Sequence, residues 1–206
     1  MIRPEIVSGA DDAAIAGWIA VRLGAALAAS DSPVAISVPG GSTPFPIMER
    51  LVRLPLEWAR VQVWPGDDRI VPESHAASNT GRIRALFEPA GAQVMALTQG
   101  AIPPRFALVW LGMGEDGHIA SLFPNTDPRA DDPARVRRIT PDPLPPEAPF
   151  DRLSLTIPAL LDSDALMFVI RGGQKRALFE QAAAGGHDLP VARLLRAARQ
   201  PVVCFA

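Results

Sequence analysis

The chain has 206 residues, 48% hydrophobic and 20% charged, with a formal net charge of −2. That supplies core material for one α/β domain over 1–206, and the lack of a basic stripe argues against a nucleic-acid surface. No apolar run reaches membrane length, and with one cysteine, Cys204, and no signal peptide the sequence predicts a cytoplasmic protein without an internal disulfide. In chain order, residues 10–29 (ADDAAIAGWIAVRLGAALAA) space Ile15, Trp18, Ile19, Val21, Leu23 and Leu27 at largely helical intervals behind two acids, which predicts an amphipathic helix. Residues 33–52 (PVAISVPGGSTPFPIMERLV) predict a short buried strand, a Gly-rich turn and a second helix. RVQVWPGDDRIVP, 60–72, predicts a strand emptying into a polar turn, and SNTGRIRALF, 78–87, a helix capped by Ser78 or Asn79.

RFALVWLG, 105–112, predicts a third buried strand, and 152–172 two more around a short helical piece. Helices over 173–185 and 190–198 and a last strand in PVVCF, 201–205, complete the pattern. Cys204, in that strand, reads as a buried thiol. Short apolar strands alternating with helices predict a mainly parallel sheet covered on both faces. The stretch 139–152, ITPDPLPPEAPFDR, is too rich in proline for helix or central strand; it predicts a long surface connection and is the candidate for a mobile lid.

Ligands of open α/β sheets collect at the carboxyl ends of parallel strands. Three predicted strands end there in polar loops. In the first, Gly40 and Gly41 let backbone approach a ligand, and Ser42 and Thr43 offer hydroxyls and N–H groups at a helix start, which suits a phosphate. It is neither a Walker loop nor a dinucleotide fingerprint. In the second, Asp67 and Asp68 stand beside Arg69, which could face an anion or a developing oxyanion with Asp67 holding it in place. In the third, Gly112 to His118, the imidazole stands two residues after Asp116 in a Gly-rich loop, the setting of a general base oriented by a carboxylate. His75 and His187 have no ligand-spaced partners, so no metal site is expected. A nucleophilic Ser121 would lack the strained Gly-x-Ser-x-Gly elbow.

In this order GGSTP, GDDR with the following His75 and Ser78-Asn79, LGMGEDGHIASLFP, the late RLSLT and GQK resemble the 6-phosphogluconolactonase family over nearly the whole chain. The related glucosamine-6-phosphate deaminases run from the histidine into Phe-Asn-Glu-Pro, whereas this chain has Ser121-Leu122-Phe123-Pro124 and lacks that glutamate. Asp68 stands where the family often has glutamate, and Ala107 where it often has aspartate. The resemblance implies a Rossmann-like three-layer α/β/α sandwich with a mainly parallel sheet. It implies hydrolysis of 6-phospho-D-glucono-1,5-lactone to 6-phospho-D-gluconate in the oxidative pentose phosphate route, without metal or organic cofactor, by a monomer or homodimer.

In that chemistry water attacks C1 while His118 takes its proton, Asp116 biases the imidazole tautomer, and Arg69 steadies either the oxyanion or the phosphate. Gly40, Gly41, Ser42 and Thr43 supply phosphate donors; Lys175, Arg152 and, more weakly, Arg82 supply charge. Asp67, Asn79 and Gly114 complete the expected substrate contacts. Two alternatives stay open. A deaminase or isomerase on the same fold would show aldose–ketose conversion or ammonia release and would want the missing glutamate, and a non-catalytic sugar-phosphate sensor would want an attached helix-turn-helix module.

Overall fold

The computed structural model describes residues 3–144 and 148–206. Its elements run in the order β1 (Glu5–Val7), α1 (Asp12–Ala28), β2 (Val34–Val38), α2 (Pro44–Leu51), β3 (Val61–Pro65), β4 (Asp67–Arg69), α3 (Asn79–Phe87) and β5 (Gln93–Val94). Then come β6 (Phe106–Leu111), β7 (Val136–Ile139), β8 (Arg152–Leu155), α4 (Ile157–Leu161), β9 (Leu166–Val169), α5 (Gly173–Ala183), α6 (Pro190–Ala197) and β10 (Val202–Phe205).

Seven strands form the main sheet in the order β1-β10-β9-β6-β2-β3-β5. All of its pairings are parallel. Its central strands are buried on both faces, which is why they read as unbroken apolar runs. Side chains alternate across the sheet with period two. Phe106, Val109 and Leu111 of β6 meet one core with Phe168 of β9 and Phe179 and Leu194 of α5 and α6. Leu108 and Trp110 of β6 meet the other, with Ile15 and Ile19 of α1, Ile47 of α2 and Phe87 of α3. Two apolar cores on opposite faces make the fold the three-layer α/β/α sandwich.

The predicted helices form with small corrections. Asp11 caps α1 by accepting the N–H of Ala14 at 2.7 Å. Val21 lies 76% exposed, off the apolar stripe in which its spacing had placed it. Trp18 packs edge-on to Phe205 at 5.5 Å.

A second sheet, β4-β8-β7, is antiparallel and was not expected. Asp67-Asp68-Arg69 is therefore a strand and not a turn. Gly66 makes the transfer: its N–H donates to Val38 of the main sheet and its carbonyl accepts from Leu155 of the small one, both at 2.9 Å. The connection predicted over 139–152 is shorter, because Ile139 ends β7 and Arg152 begins β8. Residues 145–147 of that segment, on which the lid expectation partly falls, lie outside the described residues. Strands β1, β5 and β7 were also unanticipated; β1 and β5, of three and two residues, are too short to carry periodicity.

The direction of winding reverses at β2. The chain passes from β2 to β3 and β5 on one side, then returns to lay β6, β9 and β10 on the other. The loops leaving β2 and β6 thus diverge above neighbouring strands and leave a crevice between them.

Candidate active site

A cavity of about 340 Å³ opens in this crevice. It is lined by Gly40, Gly41, Ser42 and Thr43 after β2, Asp67 and Arg69 of β4, Asn79 of α3, Gly114 and His118 after β6, Arg152 of β8 and Lys175 of α5. Eleven of the twelve site residues expected from sequence therefore share one pocket. The twelfth, Asp116, lines an adjoining cavity with His118, Arg69 and Arg152, and reaches the pocket through the imidazole.

Nδ1 of His118 lies 2.6 Å from Oδ1 of Asp116, which also accepts the His118 N–H at 3.1 Å. With Asp116 accepting, the ring proton is held on Nδ1, and Nε2 keeps its lone pair for an incoming proton. The loop is tight. Gly117 donates to the Gly114 carbonyl at 3.1 Å, and Gly114 donates to the His118 carbonyl at 3.0 Å. A Cβ on Gly114 would lie 2.2 Å from the His118 ring and 2.7 Å from Asp116 Oδ1. Only glycine lets the pair fold back over the strand end.

Gly40 has the same part opposite Asn79, whose Oδ1 would sit 2.0 Å from an added Cβ. Asn79 Nδ2 donates to the Asp67 carbonyl at 2.9 Å, while its Oδ1 accepts from Arg69 Nη1 at 3.4 Å. Arg69 Nη1 also donates to the Ala77 carbonyl at 2.9 Å. Asn79 thus helps hold the arginine in place.

Asp68 is a capping carboxylate. It accepts the N–H groups of Asn79 at 2.6 Å and Thr80 at 2.9 Å, and the Ser78 hydroxyl at 3.2 Å, while Ser78 caps Gly81 at 3.0 Å. Unpaired donors at a helix start attract a carboxylate. Asp68 therefore fixes the start of α3 and, through Asn79, Arg69. Asp67 is not Arg69's support as expected; its carboxylate accepts a hydrogen bond from the Ser121 hydroxyl at 2.5 Å. That bond also commits Ser121, which is fully buried, and leaves it no role as a nucleophile.

Arg152 is 5% exposed and donates to the Ala148 carbonyl at 3.1 Å. Burial pushes its guanidinium below the usual arginine range; the Asp67 carboxylate opposes that and the Arg69 charge adds to it. The Nε groups of both arginines are buried without a partner among the described residues. Lys175 reaches the same pocket from the first turn of α5. Arg82 does not; its guanidinium stacks 3.9 Å above the Phe45 ring. No described acceptor takes the N–H of Gly41, Ser42 or Thr43, so these donors are free for a ligand beside the start of α2. Among the described residues no group of three or more His, Cys, Asp or Glu is placed to hold a metal ion, and no helix is long and apolar enough to cross a membrane.

Sequence reasoning missed the apolar wall: Trp110, Met113 and Val169 line the pocket, and Phe123 backs His118 with ring centroids 4.7 Å apart. The first three carried no signal beyond hydrophobicity, since strand ends look like any other part of a buried strand. Chemically, the site combines an oriented imidazole, cations that form no ion pair among the described residues, and free N–H donors. It can deprotonate a small nucleophile such as water beside a bound anion.

Known proteins resemble this chain in sequence and in fold. The profile of the glucosamine-6-phosphate isomerases/6-phosphogluconolactonase family matches residues 11–101 and 88–203. The 6-phosphogluconolactonase of Mesorhizobium japonicum is 35% identical over 98% of this chain and 91% of its own length. That of Pseudomonas aeruginosa is 36% identical over 89% of this chain and 86% of its own. Among solved structures, a 6-phosphogluconolactonase from Shewanella baltica superposes with a TM-score of 0.84 at 25% identity, covering 98% of this chain and 97% of that one. A monomeric glucosamine-6-phosphate deaminase shares the fold, with a TM-score of 0.76 at 14% identity over 98% of this chain and 96% of that one.

Proposed function

The chain belongs to the glucosamine-6-phosphate isomerase/6-phosphogluconolactonase family, and from that premise we propose that it hydrolyses 6-phospho-D-glucono-1,5-lactone to 6-phospho-D-gluconate, with His118 as general base. This is the lactone-opening step of the oxidative pentose phosphate route. A lactone is an activated ester, so water can attack C1 directly and no covalent nucleophile is required. Nε2 of His118 takes the water proton as the C1–O bond forms, and Asp116, 2.6 Å from Nδ1, stabilises the resulting imidazolium. Charge gathers on the carbonyl oxygen, which Arg69 and Arg152 face from the small sheet. Collapse of the tetrahedral intermediate breaks the bond from C1 to the ring oxygen, which receives the proton from His118. The acid product ionises, so each turnover releases one proton.

The phosphate lies at the other end of the pocket. Free N–H groups of Gly41, Ser42 and Thr43, the two hydroxyls and Lys175 provide its donors and charge. The second cavity, which shares these arginines with His118 and contains neither Lys175 nor the Gly-rich loop, supports assigning Arg69 and Arg152 to the carbonyl end, although both also line the first cavity. The observation that carries the proposal is the carboxylate-oriented imidazole in one pocket with two arginines whose Nε groups are buried without a partner among the described residues. Proton release on adding freshly generated 6-phosphogluconolactone tests it. The expected result is a rate well above spontaneous hydrolysis and proportional to enzyme; a rate equal to the background would overturn it.

A further inference from the structure

We propose that Phe123 is a positioning residue of this site, whose ring orients the His118 imidazole and stabilises its protonated form. The proposal rests on the reading of His118 as the general base.

The Phe123 and His118 rings lie 4.7 Å apart between centroids and are tilted by 40°. The Arg152 guanidinium carbon stands 5.3 Å from the centroid of the same Phe123 ring. One aromatic side chain therefore touches both the base and a buried cation on a different strand. His118 needs such a partner. Its ring is one-third exposed, and the Nδ1 bond to Asp116 holds only one edge of it. The Phe123 ring packs against the imidazole away from that edge and restrains the ring's tilt.

The electrostatics point the same way. An aromatic face carries negative charge density and attracts a cation within about 6 Å. The imidazole becomes a cation only after it has accepted the water proton, so its attraction to Phe123 grows toward the transition state. The other charged groups lining the cavities around the base are Asp116 and Glu115 on its own loop, Asp67 and Arg69 on β4, Arg152 on β8, and Arg171 and Lys175 beside and on α5. The arginines oppose a charged imidazole, and Asp116 and the Phe123 face compensate. Arg152 is also tied to the Ala148 carbonyl and to its place in β8, so it stays put when the aromatic ring is removed. Loss of Phe123 then leaves its repulsion in place and removes part of the compensation.

Phe123→Leu keeps an apolar side chain and removes the π face; Phe123→Tyr keeps both. In pH–rate profiles of the purified enzyme, corrected for spontaneous hydrolysis, Phe123→Leu should lower kcat by about 3- to 30-fold and change KM by less than about twofold. The acid limb should move to lower pH by about half a unit to one unit, and Phe123→Tyr should restore both rate and limb. A Phe123→Leu enzyme with wild-type kcat and an unmoved limb would overturn the proposal, as would a loss that Phe123→Tyr shares. His118→Asn, run alongside, keeps the two readings distinguishable. If it abolishes the acid limb while Phe123→Leu leaves the limb unmoved, the base assignment stands and only the role of Phe123 falls.

Discussion

Arg69 and Arg152 are direct cross-strand partners on β4 and β8, and among the described residues neither forms an ion pair with a carboxylate. Like charges placed opposite one another destabilise a sheet, and a buried cation without a counter-ion costs more. On the proposed function the pair is tolerable because an anionic substrate arrives to meet it. Such preorganised charge acts where negative charge develops, without further reorganisation.

The first prediction follows from that pair. Arg152→Met removes one charge at similar volume and should change the ligand-free Tm by no more than about 3 °C. The Tm gain produced by saturating 6-phosphogluconate should shrink markedly. Differential scanning calorimetry with and without the product measures both. A large fall in the ligand-free Tm with an undiminished ligand gain would assign Arg152 to the fold instead.

Phosphate recognition gives the second. If Lys175 and the loop of Gly41, Ser42 and Thr43 hold the phosphate, unphosphorylated gluconolactone should be a much poorer substrate. Removing one charge-assisted hydrogen bond costs about 1.5–3 kcal/mol, or roughly ten- to a hundredfold and more in kcat/KM. Lys175→Ala should act chiefly on KM. Equal kcat/KM for the two lactones, or an unchanged KM in the variant, would remove the phosphate assignment.

Gly114 supplies the third. A methyl group there would lie 2.2 Å from the His118 ring, so Gly114→Ala must displace the imidazole, Asp116, or both. Misplacing a catalytic group by about 1 Å can cost roughly 10²-fold. We expect a loss of that order in kcat with an unchanged far-UV circular dichroism spectrum. Near-normal turnover would show that the loop adjusts freely and that its geometry is not critical.

Much of this was legible in the sequence because each strand end changes abruptly from apolar to polar. Leu111 to Gly112 and Val38 to Gly40 mark where the sheet stops, and parallel topology carries those ends to one edge. What stayed hidden was the partner of each polar group. Nothing local in Asp67-Asp68-Arg69 indicates that Asp68 caps a helix eleven residues on, or that Asp67 binds Ser121 fifty-four residues away. The small antiparallel sheet was missed because β4 has only three residues and β7 reads Val-Arg-Arg-Ile, polar at its centre. The stack of Phe123 on His118 depends on the loop's path.

The fourth prediction concerns Cys204 on β10. The thiol is 1% exposed, and burial pushes it up to about 12. The thiolate is the reactive form, so native protein at pH 8 should resist alkylation by iodoacetamide and become labelled only on unfolding. Mass spectrometry of protein treated with and without guanidinium decides. Rapid labelling of the folded chain would contradict the buried strand placement.

The base assignment is the central claim, and turnover of His118→Asn beside wild type tests it most directly. The asparagine keeps a polar group in the loop but cannot accept the water proton. With proton release corrected for spontaneous hydrolysis, kcat should fall by about 10²-fold or more while KM changes little. Asp116→Asn should fall less far, because it removes orientation and charge stabilisation and leaves the base. The wild-type rate should also drop on acidification as the imidazole becomes charged, and the variant should lack that limb. A folded His118→Asn enzyme with near-wild-type kcat, or a flat acid limb in the wild type, would place the base elsewhere.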